Sequence, residues 1–156
     1  MTGLLVAIHI SPSASVLPYS VERARALAGR GLEGDRYASG AGTFSANAGE
    51  RDVTLIETEV LDEFRRDYGR TLSPAETRRN LLTKGIRLNQ LIGREFLIGT
   101  VPMRGLRLCE PCAHLARLTS APVLPGLIRR GGIYATILRD GELLAGDSIR
   151  LTSEQS

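Results

Sequence analysis

Apolar positions along the chain fall mostly in short runs separated by Gly, Pro, Asp and Ser, the pattern of strands joined by tight connections. Leu4-Leu5-Val6-Ala7-Ile8-His9-Ile10 is one such run, ended by Ser11-Pro12-Ser13, and its length and β-branched content predict a buried strand in which His9 is structural. Asp52-Val53-Thr54-Leu55-Ile56 alternates as a strand does. Ile56, Val60, Leu61, Phe64 and Tyr68 then recur at helical spacing until Gly69 supplies a C-cap. Thr54 and Glu57 form a capping-box pattern, which leaves the helix start open by a few residues. A second box, Ser73-Pro74-Ala75-Glu76, has proline where the first helical residue belongs and predicts a short helical turn delivering Arg78-Arg79-Asn80. Residues 80–83 then turn apolar, as a strand would.

Between residues 95 and 108 a β-rich stretch is broken by Gly99, Pro102 and Gly105, which predicts tight turns or bulges. Ile133 to Leu138, followed by Arg139-Asp140-Gly141-Glu142 and Leu143-Leu144, predicts a hairpin turning on the Asp-Gly pair. Gly146-Asp147 precedes a last strand, Ser148-Ile149-Arg150-Leu151. Residues 21–28 have helical composition without a clean period, and their state stays open. Gly29-Arg30-Gly31-Leu32-Glu33-Gly34-Asp35-Arg36 reads as a shaped loop. Residues 38–49 are almost all small or polar, with Phe44 the one large apolar side chain, so they are expected to be mobile, as a lid or as a plain loop. The sum is one mainly β domain over residues 1–156, a β-barrel or sandwich core with a few helices packed outside and no internal repeat.

Composition narrows the function. At 156 residues and 42% hydrophobic the chain can bury a core without staples, but it has no Trp and only 4% aromatic residues. There is little surface on which bases could stack, so a nucleic-acid partner is not expected. Lys84 is the one lysine among 20 Lys and Arg residues. Arginine's planar, permanently charged fork suits phosphate and carboxylate, although composition bias alone accounts for many of the arginines. No apolar run is long enough to cross a membrane and no basic leader precedes the first one, which predicts a cytoplasmic protein with no membrane partner.

Two cysteines are too few for a disulfide framework. In Cys109-Glu110-Pro111-Cys112 the pair comes off a strand and precedes a helical segment, with Pro111 at the first helical position. Cys112 is then in the first turn, where unpaired amides and the helix dipole stabilise a thiolate. Spacing alone leaves a second reading equally open, because Cys112 and Leu115 share a helix face and Cys112 fits there as a small buried apolar residue. A structural zinc is not expected, since beyond the cysteines only His9 and His114 offer nitrogen ligands. Three basic clusters accompany the cysteines: Arg78-Arg79 with Lys84, Arg104 with Arg107, and Arg129-Arg130 ahead of Gly131-Gly132. Each is either a solvated charged face or part of an anion site.

Six blocks in fixed order resemble the MOSC domain, the family named for the C-terminal domain of molybdenum cofactor sulfurase. They are Gly-Leu-Glu-Gly-Asp-Arg-Tyr (31–37), Arg-Arg-Asn-Leu (78–81), Gly-Ile-Arg-Leu-Asn-Gln-Leu-Ile-Gly (85–93), Cys-Glu-Pro-Cys (109–112), Arg-Gly-Gly-Ile-Tyr-Ala (130–135) and Gly-Asp-Ser-Ile (146–149). The resemblance implies a MOSC-like β-barrel with peripheral helices, a molybdenum-pterin cofactor, an association with pyridoxal phosphate binding, and a cysteine that carries sulfur or ligates molybdenum. That cysteine matches Cys112. Arg78, Arg79, Asn80 and Arg130 fall in blocks matching the family's cofactor-holding residues, and Asp35 and Arg36 match a motif that is either structural or ligand-facing.

A domain standing without a pyridoxal-dependent desulfurase part, or the partner domain of larger reductases, would need a separate cysteine desulfurase or other sulfur or electron donor. Its acceptor would be a molybdoenzyme or a small-molecule substrate. Three expectations follow: a persulfide carrier acting through Cys112, a molybdenum-dependent reductase of N-hydroxylated small molecules, and a non-catalytic module that binds a phosphorylated ligand.

Overall fold

The computed structural model describes residues 2–12, 18–35, 52–69, 77–109 and 132–152. In chain order these form β1 (Thr2–Ile10), β2 (Tyr19–Val21), β3 (Arg23–Leu27), β4 (Gly31–Leu32), β5 (Val53–Glu57) and α1 (Thr58–Tyr68). There follow β6 (Leu81–Lys84), a 3-10 turn (Leu88–Leu91), β7 (Glu95–Ile98), β8 (Val101–Leu108), β9 (Ile133–Ile137), β10 (Gly141–Leu144) and β11 (Ser148–Leu151). Strands hydrogen-bond in the order β11-β7-β8-β9-β5-β6-β1, and β11 also pairs with β1, which closes the ring into a seven-stranded barrel. Only β5 and β6 run parallel in it. β2 extends from β1, and β10-β3-β4 forms a separate small sheet.

The barrel interior is filled. Leu5, Ile8, Leu55, Leu81, Phe96, Ile98, Met103, Ile133 and Ile149 are all fully buried and pack in one cluster. Burying so many aliphatic side chains, at roughly 25 cal/mol per Å² of apolar surface, supplies the driving force that aromatic residues provide elsewhere. A second cluster lies outside the wall, where Val60, Leu61 and Phe64 of α1 cover Ile56 and Leu82. The helix ends at Gly69, whose left-handed φ of 66° lets its N–H return to the Arg65 carbonyl.

Three details depart from the sequence pattern. Residues 23–27, helical in composition, form β3 because Ala24 and Ala26 point inward while Arg23 and Arg25 point out. The Asp140-Gly141 pair makes no hairpin. β10 pairs with β3 rather than β9, and Asp140 Oδ1 accepts the Ala28 N–H at 2.7 Å, so this carboxylate closes the end of the β3–β10 pair. The Thr54–Glu57 box does not form either: Glu57 caps α1 with no side-chain bond, and Thr54 faces another partner described below.

Two glycines lie hard against backbone carbonyls. A bulge follows Gly105 in β8, and a Cβ there would lie 2.2 Å from the Leu91 carbonyl oxygen. Gly132, just ahead of β9, has φ 101°, and its Cβ would lie 1.8 Å from the Leu55 carbonyl oxygen. Gly132→Ala is therefore expected to lower stability by about 3 kcal/mol or more, combining steric overlap with backbone strain. Gly29→Ala, at φ 69° with open space around it, serves as control and is expected to cost only about 1–2 kcal/mol. Urea unfolding of both variants checks the contrast.

Candidate functional site

Strand register brings several of the singled-out residues to one end of the barrel. Leu55 pairs with both Leu81, the first residue of β6, and Ile133, the first of β9. Ile133 pairs in turn with Leu108, the last of β8, and Leu81 with Ile8 near the end of β1. Residues just outside these strand ends therefore share one rim: Ser11 after β1, Arg78-Arg79-Asn80 before β6, Cys109 after β8 and Gly132 before β9.

Asn80 is the knot of this rim. Its Oδ1 accepts from the Thr54 N–H at 3.0 Å and the Thr54 hydroxyl at 3.2 Å, and its Nδ2 donates to the His9 carbonyl at 3.1 Å. Its backbone joins in, donating to Thr54 Oγ1 at 2.9 Å and accepting the His9 N–H at 2.6 Å. The side chain is thus engaged within the wall.

Arg78 and Arg79 are both buried. Arg78 has a left-handed φ of 61°, uncommon for a residue with a side chain. That turn folds Arg79 back on Thr77, so that the Arg79 N–H donates to Thr77 Oγ1 and Nη1 to the Thr77 carbonyl, each at 3.3 Å. Arg79 Nη2 donates to the Cys109 carbonyl at 3.0 Å. Cys109 is itself buried with a free thiol, and its N–H donates to the Gly132 carbonyl at 2.8 Å.

Asp35 follows β4 and is fully buried. Its Oδ1 accepts the Ser11 N–H at 2.8 Å, while Oδ2 has no hydrogen-bond partner. His9 Nδ1, two residues along the strand from Ser11, is likewise buried and unpartnered. Burial holds the His9 pKa below the ordinary 6.5. Cys112, Arg36, Arg129, Arg130 and His114 lie outside the described residues, as do residues 38–49 and the Ser73–Glu76 box.

The remaining basic residues face elsewhere. Arg104 pairs with Glu95 on the outer wall, Arg107 stacks over the Tyr134 ring at 4.8 Å, and Lys84 is exposed at the far end of β6. A cavity of about 300 Å³ also opens at that far end, lined by Glu57, Glu59, Glu63, Gly85, Ile86 and Arg87, which the sequence reading did not anticipate. Burial, with Glu59 and Glu63 adding to it, raises the Glu57 carboxyl above its usual range despite the Leu88 N–H it accepts. Among the described residues no cluster of three or more His, Cys, Asp or Glu side chains is arranged to hold a metal ion.

The MOSC domain family model matches residues 6–150. The chain belongs to the MOSC domain family. Solved structures agree on the fold. The YuaD protein of Bacillus subtilis superposes with a TM-score of 0.81 at 18% identity, over 96% of this chain and 94% of that one. YiiM from Geobacillus stearothermophilus gives 0.75 at 16% identity, over 97% and 75%. YiiM from Escherichia coli gives 0.72 at 18%, over 98% and 70%. No curated protein matches the chain. The family match takes in all of the described barrel of this MOSC domain except the first residues of β1 and the last of β11, the rim included, and no helix among the described residues is long and apolar enough to cross a membrane.

His9 gives the rim a pH signature. Because its folded pKa is depressed, its contribution to stability is complete above about 6.5 and is lost as pH falls from there through the folded pKa. Wild type is accordingly expected to lose stability relative to His9→Asn as pH drops below 6.5. Chemical-denaturation midpoints of the two proteins between pH 5 and pH 8 check the sign (roughly the range in which histidine titrates).

Proposed function

We propose that this MOSC domain handles sulfur or molybdenum through Cys112, as a persulfide carrier or as a protein that binds a molybdenum-pterin cofactor with Cys112 as metal ligand. The observation that carries the reading is the rim: the chain that bears Cys112 and Arg130 leaves β8 at Cys109 and returns at Gly132. Those two residues are bonded to each other, beside the buried Arg78-Arg79-Asn80 run. A thiol carried on that connection would start from a strand end held by permanent positive charge, and a nearby positive charge is what stabilises a thiolate.

The residues of the rim fit the cofactor's chemistry. Its phosphate calls for guanidinium groups, and Arg78 is buried there, next to Arg79, whose own Nη donors go to the Thr77 and Cys109 carbonyls. Its pterin edge carries N–H donors, and Asp35 keeps one buried acceptor oxygen without a partner. Arg36 and Arg130 would add donors, and Asn80 would shape the wall. When bound, the metal would supply two-electron redox chemistry to a small substrate. In the carrier form, the Cys112 thiolate attacks the terminal sulfur of a desulfurase persulfide. A new S–S bond forms on Cys112, the donor's S–S bond breaks, and the donor cysteine leaves as thiolate.

Incubation with a cysteine desulfurase and cysteine is expected to add one sulfur atom to the intact mass. Reductant should remove it, Cys112→Ser should abolish it, and Cys109→Ser should leave it in place. Protein isolated from a molybdenum-replete host would instead contain molybdenum and pterin if the cofactor form holds. Absence of the adduct, of the metal and of the pterin together would sink the proposal.

A further inference from the structure

Arg79 belongs to a basic pair, but its guanidinium is committed to the chain. At 8% exposure it donates through Nη2 to the Cys109 carbonyl and through Nη1 to the Thr77 carbonyl. A buried guanidinium is costly unless its donors meet acceptors, so these bonds fix its position. They also fix Cys109 on both sides: its carbonyl is held by Arg79 and its N–H by Gly132. Gly132 is pressed in turn against the β5 backbone at Leu55.

The turn that makes this possible is strained. The left-handed Arg78 backbone, costing about 1–2 kcal/mol for a non-glycine residue, folds Arg79 back so that its own N–H and Nη1 both return to Thr77. Strain retained in a buried turn whose product is a charge pinned between the Thr77 and Cys109 carbonyls marks a positioning device. Cys112 follows Cys109 after three residues, a reach of at most about 11 Å. Arginine keeps its charge at every pH at which a thiol titrates.

We infer that Arg79 is a positioning residue for Cys112, clamping the strand end from which Cys112 follows and fixing a permanent positive charge at Cys109, three positions earlier in the chain. It acts through the chain rather than by holding a ligand itself. The inference rests on Cys112 being the reactive thiol, and the experiment separates the two claims.

In a Cys109→Ser background, iodoacetamide alkylation of Cys112 is followed against pH for Arg79 and for the Lys, Gln and Met variants, with thermal unfolding of each. Arg79→Met is expected to slow alkylation at neutral pH by about tenfold, the effect of a one-unit rise in thiol pKa. Arg79→Lys, which keeps the charge and one donor, should recover most of the rate; Arg79→Gln, which keeps a donor alone, should not. A purely structural Arg79 lowers unfolding temperatures and leaves the alkylation profile unmoved, and that result in the folded variants overturns the inference while leaving the reading of Cys112 intact. Should Arg79→Met fail to fold, the Lys and Gln variants carry the same contrast. A parent Cys112 with the pH profile of an ordinary free thiol overturns both.

Discussion

The carboxamide of Asn80 serves three strands at the point where their ladders run out. β1 and β6 pair only as far as Ile8 and Leu81, and β5 begins its pairing with β6 at Leu55. Beyond those positions the His9 carbonyl and the Thr54 N–H would face a buried region with no ladder partner. Asn80 offers both a donor and an acceptor on one planar group, so one side chain satisfies both, and its backbone bonds to the same two residues. A buried carbonyl and amide left open would cost about 1–3 kcal/mol each. The rim is ordered because this residue closes it, and Arg78 and Arg79 take their places as the two residues immediately before it.

Polar groups collect at the rim because the interior is lined by apolar side chains. A seven-stranded ring filled by Leu, Ile, Val, Phe and Met leaves no lumen among the described residues, so polar groups can gather only where strands end. The low aromatic content makes tight backbone approaches more important. Gly105 lies against Leu91 and Gly132 against Leu55 at distances that no side chain would permit. The second approach matters most for the rim, since it sets where the chain enters β9 and, through the Cys109 bond, where β8 lets go.

Much of the fold was legible from periodicity. The first strand, the 52–56 strand, the helix closing on Gly69, the strand after Asn80, the Gly105 bulge and the last strand all follow from local pattern, because local sterics and side-chain alternation decide them. The misreadings share a cause. Asp140-Gly141 has hairpin chemistry, yet the Asp140 carboxylate is drawn to the Ala28 amide at the end of β3, 112 residues away, and β10 takes β3 as its partner. Thr54 matches a capping box, yet its hydroxyl and amide are claimed by Asn80, 26 residues away. In both cases a long-range hydrogen bond outweighed a local preference, and no window of sequence contains both partners.

The candidate site residues were singled out in a different way. Composition and spacing left Arg78-Arg79 as one basic cluster among three and Cys112 open between a reactive thiol and a buried one; the ordered blocks singled them out. What neither route supplied is the division of labour inside the run. Three adjacent residues with similar polar character do separate work: Arg78 supplies the left-handed turn, Arg79 reaches across to Cys109, and Asn80 binds β1 to β5. That division follows from the positive φ at Arg78, which sends successive side chains in directions that a regular strand would forbid. A single backbone angle thereby converts a charged run into a support for the strand end at Cys109, where the β8 ladder gives way.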